Sequence, residues 1–274
     1  VCTDGSIDLE KTGLTRDAVA SFRQVWVIGC GSAYHVGVAA QYVLEDLAKI
    51  PVRVELASEF RYRDPLVPEN TLVVIISQSG ETADSLAALR KAKEQGAKTL
   101  AIVNVVGSTI AREADYIFYT LAGPEIAVAT TKAYSAQLLA VYALAIAFAQ
   151  DRGQLTDDQA AALVRELESL PGKMERLLED EARIQWFASK QIAAKDIFFI
   201  GRGLDYAISL EGSLKMKEIS YIHSEAYAAG ELKHGTISLI EPGTLVVGVL
   251  TQQKLYEKTL SNLLECKTRG AYLM

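Results

Sequence analysis

The segment LVVIISQSGETADSL, residues 72–86, places an apolar run, a polar loop and the start of a helical pattern in direct succession. The run from Leu72 to Ile76 is branched and apolar, which is typical of a strand buried inside a parallel sheet. An amphipathic pattern begins at Ala83 and predicts a helix. A strand that leads directly into a helix is the repeating element of α/β folds, so the segment predicts that fold class.

The same alternation extends along the chain and predicts parallel sheets covered by helices. The predicted strands are 25–29, 52–56, 72–77, 99–103, 116–119, 196–200 and 244–250. The predicted helices are 34–48, 82–95, 107–113, 131–150, 206–222 and 255–268. The expected architecture is therefore α/β with three layers, in the order helix, sheet, helix.

A shift of 172 residues aligns the second half of the chain with the first half without a gap. VIGCGSAY (27–34) lies on FIGRGLDY (199–206), and LVVIISQS (72–79) lies on TLVVGVLT (244–251). The matching glycines and strand positions predict two homologous α/β domains. The second alignment sets Ser-Gln-Ser of the first copy against Val-Leu-Thr of the second, so the copies differ where chemistry is expected.

The alignment also predicts the domain boundaries. Residues 1–152 form the first domain with an N-terminal segment, and residues 153–274 hold a helical connector and the second domain. The connector is charged and helix-forming, and Pro171-Gly172 is expected to interrupt it. Met274 aligns with Ile102, so the second domain is expected to be truncated in its fourth strand, about fifty residues short of the first copy.

Composition and charge exclude several function classes. The net charge is −6 at pH 7, which argues against a nucleic-acid partner. The stretch from Ala133 to Ala149 is short for a membrane span and contains Ser135 and Gln137, so we expect a core helix and no membrane contact. The three cysteines are scattered, which fits neither a disulfide framework nor a zinc site, and no metal is predicted. With no signal peptide visible, a cytoplasmic location is expected.

The loop after the strand at 72–77 is the first candidate site. The hydroxyls of Ser77, Ser79 and Thr82, the amide of Gln78 and backbone N–H groups could surround an anion such as a phosphate. The dipole of the following helix favours an anion there. The alternative is a helix cap, in which Ser79 caps the helix and Thr82 lies in its first turn. Three hydroxyls and an amide within six residues exceed what a cap needs, which favours the anion site.

A second turn, Gly29-Cys30-Gly31-Ser32, follows the first strand and points to the same edge of the sheet. The pattern is not GxGxxG, because Tyr34 stands at the position of the third glycine. No acidic residue follows the second strand in the manner of a ribose-binding site. A dinucleotide is therefore disfavoured, and no cofactor is predicted.

The second copy carries the titratable residues. Glu211, Lys215 and Glu218 recur at a spacing that places them on one face of a helix. The alternative interpretation is a solvated stripe of ion pairs. His234 stands in the glycine-flanked motif GELKHG, where a loop could present its imidazole or carry it incidentally. A carboxylate, a lysine, a histidine and an anion site together suit proton transfer beside the carbonyl of a phosphorylated substrate.

Three motifs carry a family resemblance: SQSGETADSL (77–86), VATTKAYSAQ (128–137) and LEGSLKMKEISYIHSEAYAAGELKHG (210–235). They closely resemble the isomerase region of the glucosamine-6-phosphate synthases. These isomerizing glutamine–fructose-6-phosphate transaminases convert fructose 6-phosphate and ammonia to glucosamine 6-phosphate for UDP-N-acetylglucosamine biosynthesis. The similarity runs from about Val25 to the end of the chain and implies two tandem SIS (sugar isomerase) domains and a homodimer or higher oligomer.

The resemblance also implies roles for individual residues. The implied phosphate ligands are Ser77, Gln78, Ser79 and Thr82, and the implied sugar-lining residues are Cys30, Gly31, Ser32, Val128 and Thr130. Glu218 matches the carboxylate that moves a proton between C1 and C2. His234 matches a histidine that assists ring opening and is supplied by the neighbouring subunit. Lys215 matches a supporting catalytic residue, and Glu211 matches a supporting polar residue of the substrate site. The implied ligands are fructose 6-phosphate, glucose 6-phosphate and glucosamine 6-phosphate.

The chain also departs from this family. Ser32-Ala33-Tyr34 replaces the common Thr-Ser-Tyr, which removes one hydroxyl. The family's glutaminase domain, and its C-terminal tail with the lysine that forms a Schiff base, do not occur in these 274 residues, so we expect ligand binding with little or no turnover. The alternatives are a non-catalytic SIS sugar-phosphate sensor, or an isomerase or deglycase of a related phosphosugar. A sensor needs the serine-rich loop but not Glu218 with His234.

Overall fold

A computed structural model of the chain contains two parallel β-sheets, one in each of two structural units. It describes the backbone of residues 2–3 and the whole of residues 6–274. Unit 1 is Val1–Ser169 and unit 2 is Leu170–Met274. The boundary predicted after residue 152 concerns homologous domains and stays a prediction, because the two units are defined by packing alone.

Unit 1 alternates strands and helices, and its five longer strands agree with the predicted bounds to within one residue. The strands are β1 (Cys2–Thr3), β2 (Ser6–Ile7), β3 (Gln24–Gly29), β4 (Val52–Leu56), β5 (Thr71–Ser77), β6 (Lys98–Val103) and β7 (Tyr116–Tyr119). The helices are α1 (Arg16–Ser21), α2 (Ser32–Leu47), α3 (Ala57–Phe60), α4 (Ala83–Glu94), α5 (Thr109–Glu113) and α6 (Thr131–Asp151), and a short 3-10 helix at Glu10–Thr12 precedes α1.

The main sheet of unit 1 has the order β4-β3-β5-β6-β7, and all neighbouring strands run parallel. β5 lies in the middle of this sheet, and every one of its residues is buried. A strand that is covered on both faces must be apolar throughout, which explains the run from Leu72 to Ile76. Because the strands are parallel, the loops that follow β3 and β5 meet at one edge of the sheet.

Helices cover both faces of this sheet, as predicted. On one face, side chains of the sheet pack with residues of α3, α4 and α5; the largest members of this core cluster are Trp26, Ile28, Phe60, Ile75, Leu89 and Ile110. On the other face α2 approaches closely, because a Cβ on Gly37 would lie 2.9 Å from Val54 Cγ1 and 3.1 Å from Val27 Cγ1. Each large apolar side chain buried in this way contributes about 1.5–3 kcal/mol.

Helix α6 has the length and composition of a membrane span, the one such helix among the described residues. Its most apolar window is nevertheless 61% buried inside the structure. Leu144 and Phe148 are fully or almost fully buried, and Ile146 packs against Ala160 and Val164 of the next helix. This packing agrees with the core helix that the sequence predicts.

The next helix, α7 (Asp157–Leu178), contains the boundary between the two units. The other helices of unit 2 are α8 (Glu181–Lys190), α9 (Leu204–Ser220) and α10 (Tyr256–Thr268), with short 3-10 helices at Thr236–Leu239 and Gln253–Leu255. The strands of unit 2 are β8 (Asp196–Gly201), β9 (His223–Ala228), β10 (Leu245–Gly248) and β11 (Tyr272–Leu273). They form a parallel sheet in the order β11-β10-β8-β9.

The core of unit 2 lies between this sheet and α10. Phe198 and Ile200 of β8 pack with Leu263 and Cys266 of α10. Burial, with a smaller contribution from the neighbouring carboxylate of Glu265, raises the pKa of the Cys266 thiol to about 11. The sheet and α10 therefore form an apolar layer in which the thiol stays neutral.

The strand order of unit 2 repeats that of unit 1, which supports the predicted repeat. β8 pairs with β9 in the same register as β3 with β4, after a shift of 172 residues. The third strand departs from that shift. Val25 pairs with Leu72, whereas its counterpart Ile197 pairs with Leu245, which lies 173 residues after Leu72. The gapless alignment is therefore wrong by one residue at β10.

The corrected register changes the counterpart of the serine-rich loop. Ser77-Gln78-Ser79 corresponds to Leu250-Thr251-Gln252, and not to Val249-Leu250-Thr251. Unit 2 holds one more residue between its second and third strands than unit 1. An alignment of residue types could not place this insertion, because the apolar strand fits almost equally well in two neighbouring registers.

The predicted interruption at Pro171-Gly172 is wrong, because α7 runs through both residues. Proline lacks one N–H donor, so only the hydrogen bond to the carbonyl one turn earlier is lost, while the turns on either side keep theirs. The helix continues at a cost of about 3 kcal/mol relative to alanine. Glycine at the next position adds a further cost of about 1 kcal/mol.

Substituting Gly172 with alanine is expected to stabilise the protein by up to about 1 kcal/mol, because its φ is not positive and an added Cβ meets nothing within 4 Å. Gly153 is the matched control, since its Cβ also meets nothing, but its φ is +68°. Gly153→Ala should therefore destabilise by about 1 kcal/mol. Urea unfolding followed by circular dichroism measures both changes, and a loss of stability in Gly172→Ala would contradict the helical geometry.

Candidate functional site

The loop from Ser77 to Thr82 joins β5 to α4 at the carboxyl edge of the unit 1 sheet. Ligands of open α/β sheets bind at this edge, close to the N-termini of the helices that follow the strands. The positive end of the helix dipole and the exposed N–H groups of the first turn favour an anion there. The fold therefore places the first candidate site where the helix dipole and the N–H groups favour the binding of a phosphate.

Hydrogen bonds inside the loop fix its shape. Ser77 is only 3% exposed, and its Oγ accepts a hydrogen bond from the Gly80 N–H at 3.1 Å. The same oxygen lies 3.1 Å from Thr82 Oγ1, so the two hydroxyls share a hydrogen bond. Ser79 Oγ accepts a hydrogen bond from the Glu81 N–H at 3.2 Å. The hydroxyls thus brace a tight turn. Ser79 keeps its own proton available for an acceptor, as does one of the two hydroxyls of Ser77 and Thr82.

The helix-cap interpretation of this loop is wrong. The N-cap of α4 is Thr82, and its side chain makes no capping hydrogen bond. Ser79 bonds the N–H of Glu81, which precedes the helix, instead of a first-turn N–H. In addition, the structure shows no hydrogen bond from the backbone N–H of Gln78 or Ser79 to any of residues 6–274. The loop therefore presents donors that a bound anion can use.

The loop is anchored to α5. The Gly80 carbonyl accepts a hydrogen bond from the Ile110 N–H at 3.0 Å, and Glu81 Oε1 accepts one from the Thr109 N–H at 2.7 Å. Gly80 has φ +65°, and a Cβ there would lie 2.0 Å from Ser108 Oγ, so no other residue fits this position. Ser108 Oγ is itself buried without a hydrogen-bond partner among the described residues. Sequence reasoning missed this contact, because it joins distant parts of the chain.

The turn Gly29-Cys30-Gly31-Ser32 lies at the end of the neighbouring strand β3. Gly31 has φ 54° and ψ −127°, and its counterpart Gly203 in unit 2 has φ 57° and ψ −126°. This conformation is essentially restricted to glycine, and its presence in both units makes it a requirement of the fold. Cys30 is half-buried, and its Sγ lies 3.9 Å from Ser85 Oγ of α4. The turn thereby contacts α4, the helix that starts after the loop from Ser77 to Thr82, which is called the anion loop below.

The loop before α6 carries the other predicted sugar-lining residues. Val128 is 91% exposed, and Thr130 Oγ1 donates a hydrogen bond to the Val128 carbonyl at 2.9 Å. Thr130 has φ 58°, a strained conformation for a β-branched residue that is most often retained at functional sites. Glu125, which sequence reasoning missed, orders the loop by accepting hydrogen bonds from the N–H groups of Ala127 and Ala133.

The predicted catalytic cluster lies on α9 of unit 2. Lys215 Nζ is 3.4 Å from Glu211 Oε1 and also forms an ion pair with Glu218 Oε2. The side chains of Glu211, Lys215 and Glu218 are 6%, 16% and 33% exposed, so the row passes from the interior to the surface. A solvated stripe does not describe the first two residues. The structure brings the three together as the spacing predicts.

His234 lies on an exposed turn of unit 2, outside this hydrogen-bonded cluster. Its backbone N–H donates to the Glu231 carbonyl at 2.9 Å, and the next residue, Gly235, has φ 136°. The predicted substrate ligands other than Glu211 belong to unit 1, and Glu211, Lys215, Glu218 and His234 belong to unit 2. Across the described part of the chain, no group of three or more His, Cys, Asp or Glu residues is placed to hold a metal ion.

The SIS domain family matches residues 19–147 and 192–273. The chain is 52% identical over 274 residues to a glutamine–fructose-6-phosphate aminotransferase (isomerizing) of Caldanaerobacter subterraneus, covering 100% of this chain and 45% of that protein. It is 55% identical over 265 residues to the protein of the same name from Clostridium tetani, covering 97% and 44%. The chain thus spans a little under half the length of these two relatives.

A solved structure agrees with these relatives. The C-terminal domain of glucosamine-fructose-6-phosphate aminotransferase from Francisella tularensis superimposes with a TM-score of 0.95 at 41% identity. The match covers 99% of this chain and 77% of that one. Both parallel sheets therefore have a counterpart in a protein of known structure.

The anchoring of the loop through Glu81 is expected to make stability depend on acid pH. The hydrogen bond from the Thr109 N–H lowers the pKa of the Glu81 carboxyl below its ordinary value. A carboxyl with a lowered folded pKa stabilises the fold above its unfolded pKa, near 4.3, and this stabilisation is lost as the pH falls further. Glu81→Gln should therefore lower the urea midpoint at pH 7, with a deficit that shrinks below about pH 4.

Glu94→Gln, at an exposed position on the last turn of α4, is the matched control and should show no such pH-dependent deficit. Urea midpoints measured between pH 7 and pH 3 make the comparison. A deficit of Glu81→Gln that stays constant over this range would contradict the anchoring role.

Proposed function

This chain belongs to the SIS domain family, in the group formed by the C-terminal domains of glucosamine-fructose-6-phosphate aminotransferases, and we propose that its unit 1 binds the phosphate of a hexose 6-phosphate. The ligands of this proposal are fructose 6-phosphate, glucose 6-phosphate and glucosamine 6-phosphate. The single observation that carries it is the loop from Ser77 to Thr82 at the start of α4, where three hydroxyls lie within six residues and the N–H groups of Gln78 and Ser79 bond no acceptor among residues 6–274.

A dianionic phosphate fits this loop better than a neutral ligand does. Hydrogen bonds to a charged group contribute about 1.5–3 kcal/mol each, roughly twice the value for neutral pairs. The donors are already ordered by the braces at Ser77 and Ser79, so little conformational entropy is lost when the anion binds. The sugar would extend over Cys30, Gly31 and Ser32 toward the loop that holds Val128 and Thr130.

The proposed chemistry is the conversion of a ketose phosphate to an aldose phosphate. In this scheme the Glu218 carboxylate removes a proton from C1 of the open-chain sugar, and the proton returns at C2. Lys215 positions Glu218 through their ion pair and is held in turn by the buried Glu211. His234 assists ring opening and, in the proposed homodimer, serves the site of the neighbouring subunit.

The relatives are named glutamine–fructose-6-phosphate aminotransferases (isomerizing). For this chain we propose the corresponding reaction, in which ammonia and fructose 6-phosphate give glucosamine 6-phosphate for UDP-N-acetylglucosamine biosynthesis, and we propose that it takes place in the cytoplasm. A non-catalytic sugar-phosphate sensor is the alternative function. A sensor requires the loop of unit 1 but has no use for a half-buried lysine paired with two carboxylates. The cluster on α9 therefore favours an enzyme.

Ser77→Ala combined with Ser79→Ala is expected to weaken the binding of fructose 6-phosphate at least about tenfold, because two hydrogen-bonding hydroxyls of the loop are lost. Isothermal titration calorimetry of both proteins measures the change. Ser169→Ala combined with Ser189→Ala removes two hydroxyls that bond carbonyls of α7 and α8, and should leave the affinity unchanged. Equal affinities of native protein and loop variant would overturn the phosphate assignment.

Glu218→Gln is expected to abolish the exchange of the C1 and C2 hydrogens of fructose 6-phosphate with solvent, by a factor of at least about 100, while leaving the dissociation constant unchanged. The test uses a chimera in which this chain replaces the region that it matches in the Caldanaerobacter subterraneus relative. Glu241→Gln, on a turn of unit 2, is the control. Retained exchange in the Glu218 variant, followed by NMR in deuterium oxide, would remove Glu218 from the role of base.

A further inference from the structure

Asp205 is a buried carboxylate that the proposed reaction does not use. It lies in the first turn of α9 and is 2% exposed. Burying an ionised carboxylate is costly unless hydrogen bonds satisfy its oxygens. The residues that bond Asp205 therefore show what the carboxylate is doing there.

These bonds come from the loop that follows β10. Asp205 Oδ2 accepts hydrogen bonds from the N–H groups of Thr251, at 3.0 Å, and Gln252, at 3.4 Å. Asp205 Oδ1 accepts a short hydrogen bond from the Thr251 hydroxyl. Two consecutive N–H groups and a hydroxyl thus converge on one negative charge, which is the arrangement by which loops of this kind hold anions.

This loop is the counterpart of the anion loop in unit 1. Thr251 and Gln252 follow Leu245 at the same distances at which Gln78 and Ser79 follow Leu72. The N–H groups of Gln78 and Ser79 bond no acceptor among residues 6–274, whereas those of Thr251 and Gln252 bond the carboxylate. The two loops therefore differ in whether an anion of the chain itself already occupies them.

One position accounts for this difference. Asp205 comes four residues after Gly201 at the end of β8, and Ala33 comes four residues after Gly29 at the end of β3. An alanine methyl cannot bond the loop of unit 1, so that loop stays open. A carboxylate at the same place reaches across the edge of the unit 2 sheet and fills the corresponding loop.

We propose that Asp205 is a built-in occupant of the anion loop of unit 2, and that it confines anion binding to unit 1. Replacing it with a small neutral residue should convert the loop after β10 into a site for a phosphate-class anion. The inference rests on the proposed function and deepens it, because it compares the loop of unit 2 with the loop proposed to bind phosphate in unit 1. Its own support is the set of bonds that Asp205 makes within unit 2.

A tethered carboxylate excludes a free anion for two reasons. Its effective concentration at the loop is in the millimolar range or above, because it is part of the chain. It also repels a second negative charge at close range. Thr251 also lines a pocket of about 610 Å³ whose charged residues are Lys254, Lys258 and Glu257, so the space next to the loop has an excess of one positive charge for a phosphate.

A purely structural explanation makes a different prediction. An acidic residue in the first turn of a helix is favourable by about 0.3–1 kcal/mol through the helix dipole. The helix dipole would stabilise the carboxylate equally if the side chain pointed into solvent. It therefore does not explain why the carboxylate bonds Thr251. If it were the only reason for Asp205, its removal would destabilise the protein without creating any affinity for anions.

The first experiment measures rescue by inorganic phosphate. Asp205→Ala is introduced together with Ser77→Ala and Ser79→Ala, which weaken the loop of unit 1, and the parent with only these two serine substitutions measures the response that remains there. Without phosphate the variant should melt at a lower temperature than its parent, because three donors lose their acceptor. Added phosphate should then raise the melting temperature in a saturable way, by roughly 5 °C near 100 times the dissociation constant.

Asp205→Asn in the same background is the matched control. The amide keeps the loop sterically filled, so its melting temperature should fall without a saturable response to phosphate. Chloride at equal ionic strength separates specific binding from screening. An equal phosphate response of the parent, the alanine variant and the asparagine variant would overturn the proposal, as would the absence of any response in a folded Asp205→Ala protein.

The reciprocal substitution tests the same idea in unit 1 and does not depend on the folding of Asp205→Ala. Ala33→Asp should fill the open loop and weaken fructose 6-phosphate binding at least tenfold, with Ala33→Asn as the uncharged control. Unchanged affinity in a folded Ala33→Asp protein would overturn the proposal. If the native chain binds no hexose phosphate, the proposed function fails, while the phosphate rescue of unit 2 still decides the role of Asp205.

Discussion

The structure depends on the close approach of the first strand in each unit to the helix that follows it. A Cβ on Gly29 would lie 2.8 Å from the carbonyl carbon of Ala33, and one on Gly201 would lie 2.5 Å from that of Asp205. Glycine at the strand end is therefore required in both units, because any side chain would push the helix away. This contact places the residue four positions later at the carboxyl edge of the sheet, directly beside the loop of the third strand.

Although both units share this contact, they differ in how the N–H groups of the neighbouring loop are used. In unit 1 the neighbouring loop is braced by its own hydroxyls and anchored to α5, and the N–H groups of Gln78 and Ser79 bond no acceptor among residues 6–274. In unit 2 the corresponding donors bond the carboxylate of Asp205. The titratable side chains lie further along α9, where Lys215 pairs with two carboxylates. In the function proposed for this chain, the duplicated backbone separates ligand binding in unit 1 from proton transfer in unit 2.

Much of this could be predicted from the sequence, because the deciding signals are local. Apolar runs gave the strands to within one residue in unit 1, and three motifs were enough to identify the family, which the comparisons confirm. The failures involve non-local geometry. The helix through Pro171 depends on the turns around it, the one-residue insertion before β10 is hidden by equivalent apolar registers, and the bond from Asp205 to Thr251 joins residues 46 positions apart. No periodicity in the sequence reports such contacts.

The carboxylate of Asp205 also bears on how the loop of unit 2 keeps its shape. Its donors bond a carboxylate of the same chain, so the loop needs no bound ligand to hold its geometry. If Asp205 excludes an outside anion as proposed, a chain with one anion site and a chain with two differ at a single residue.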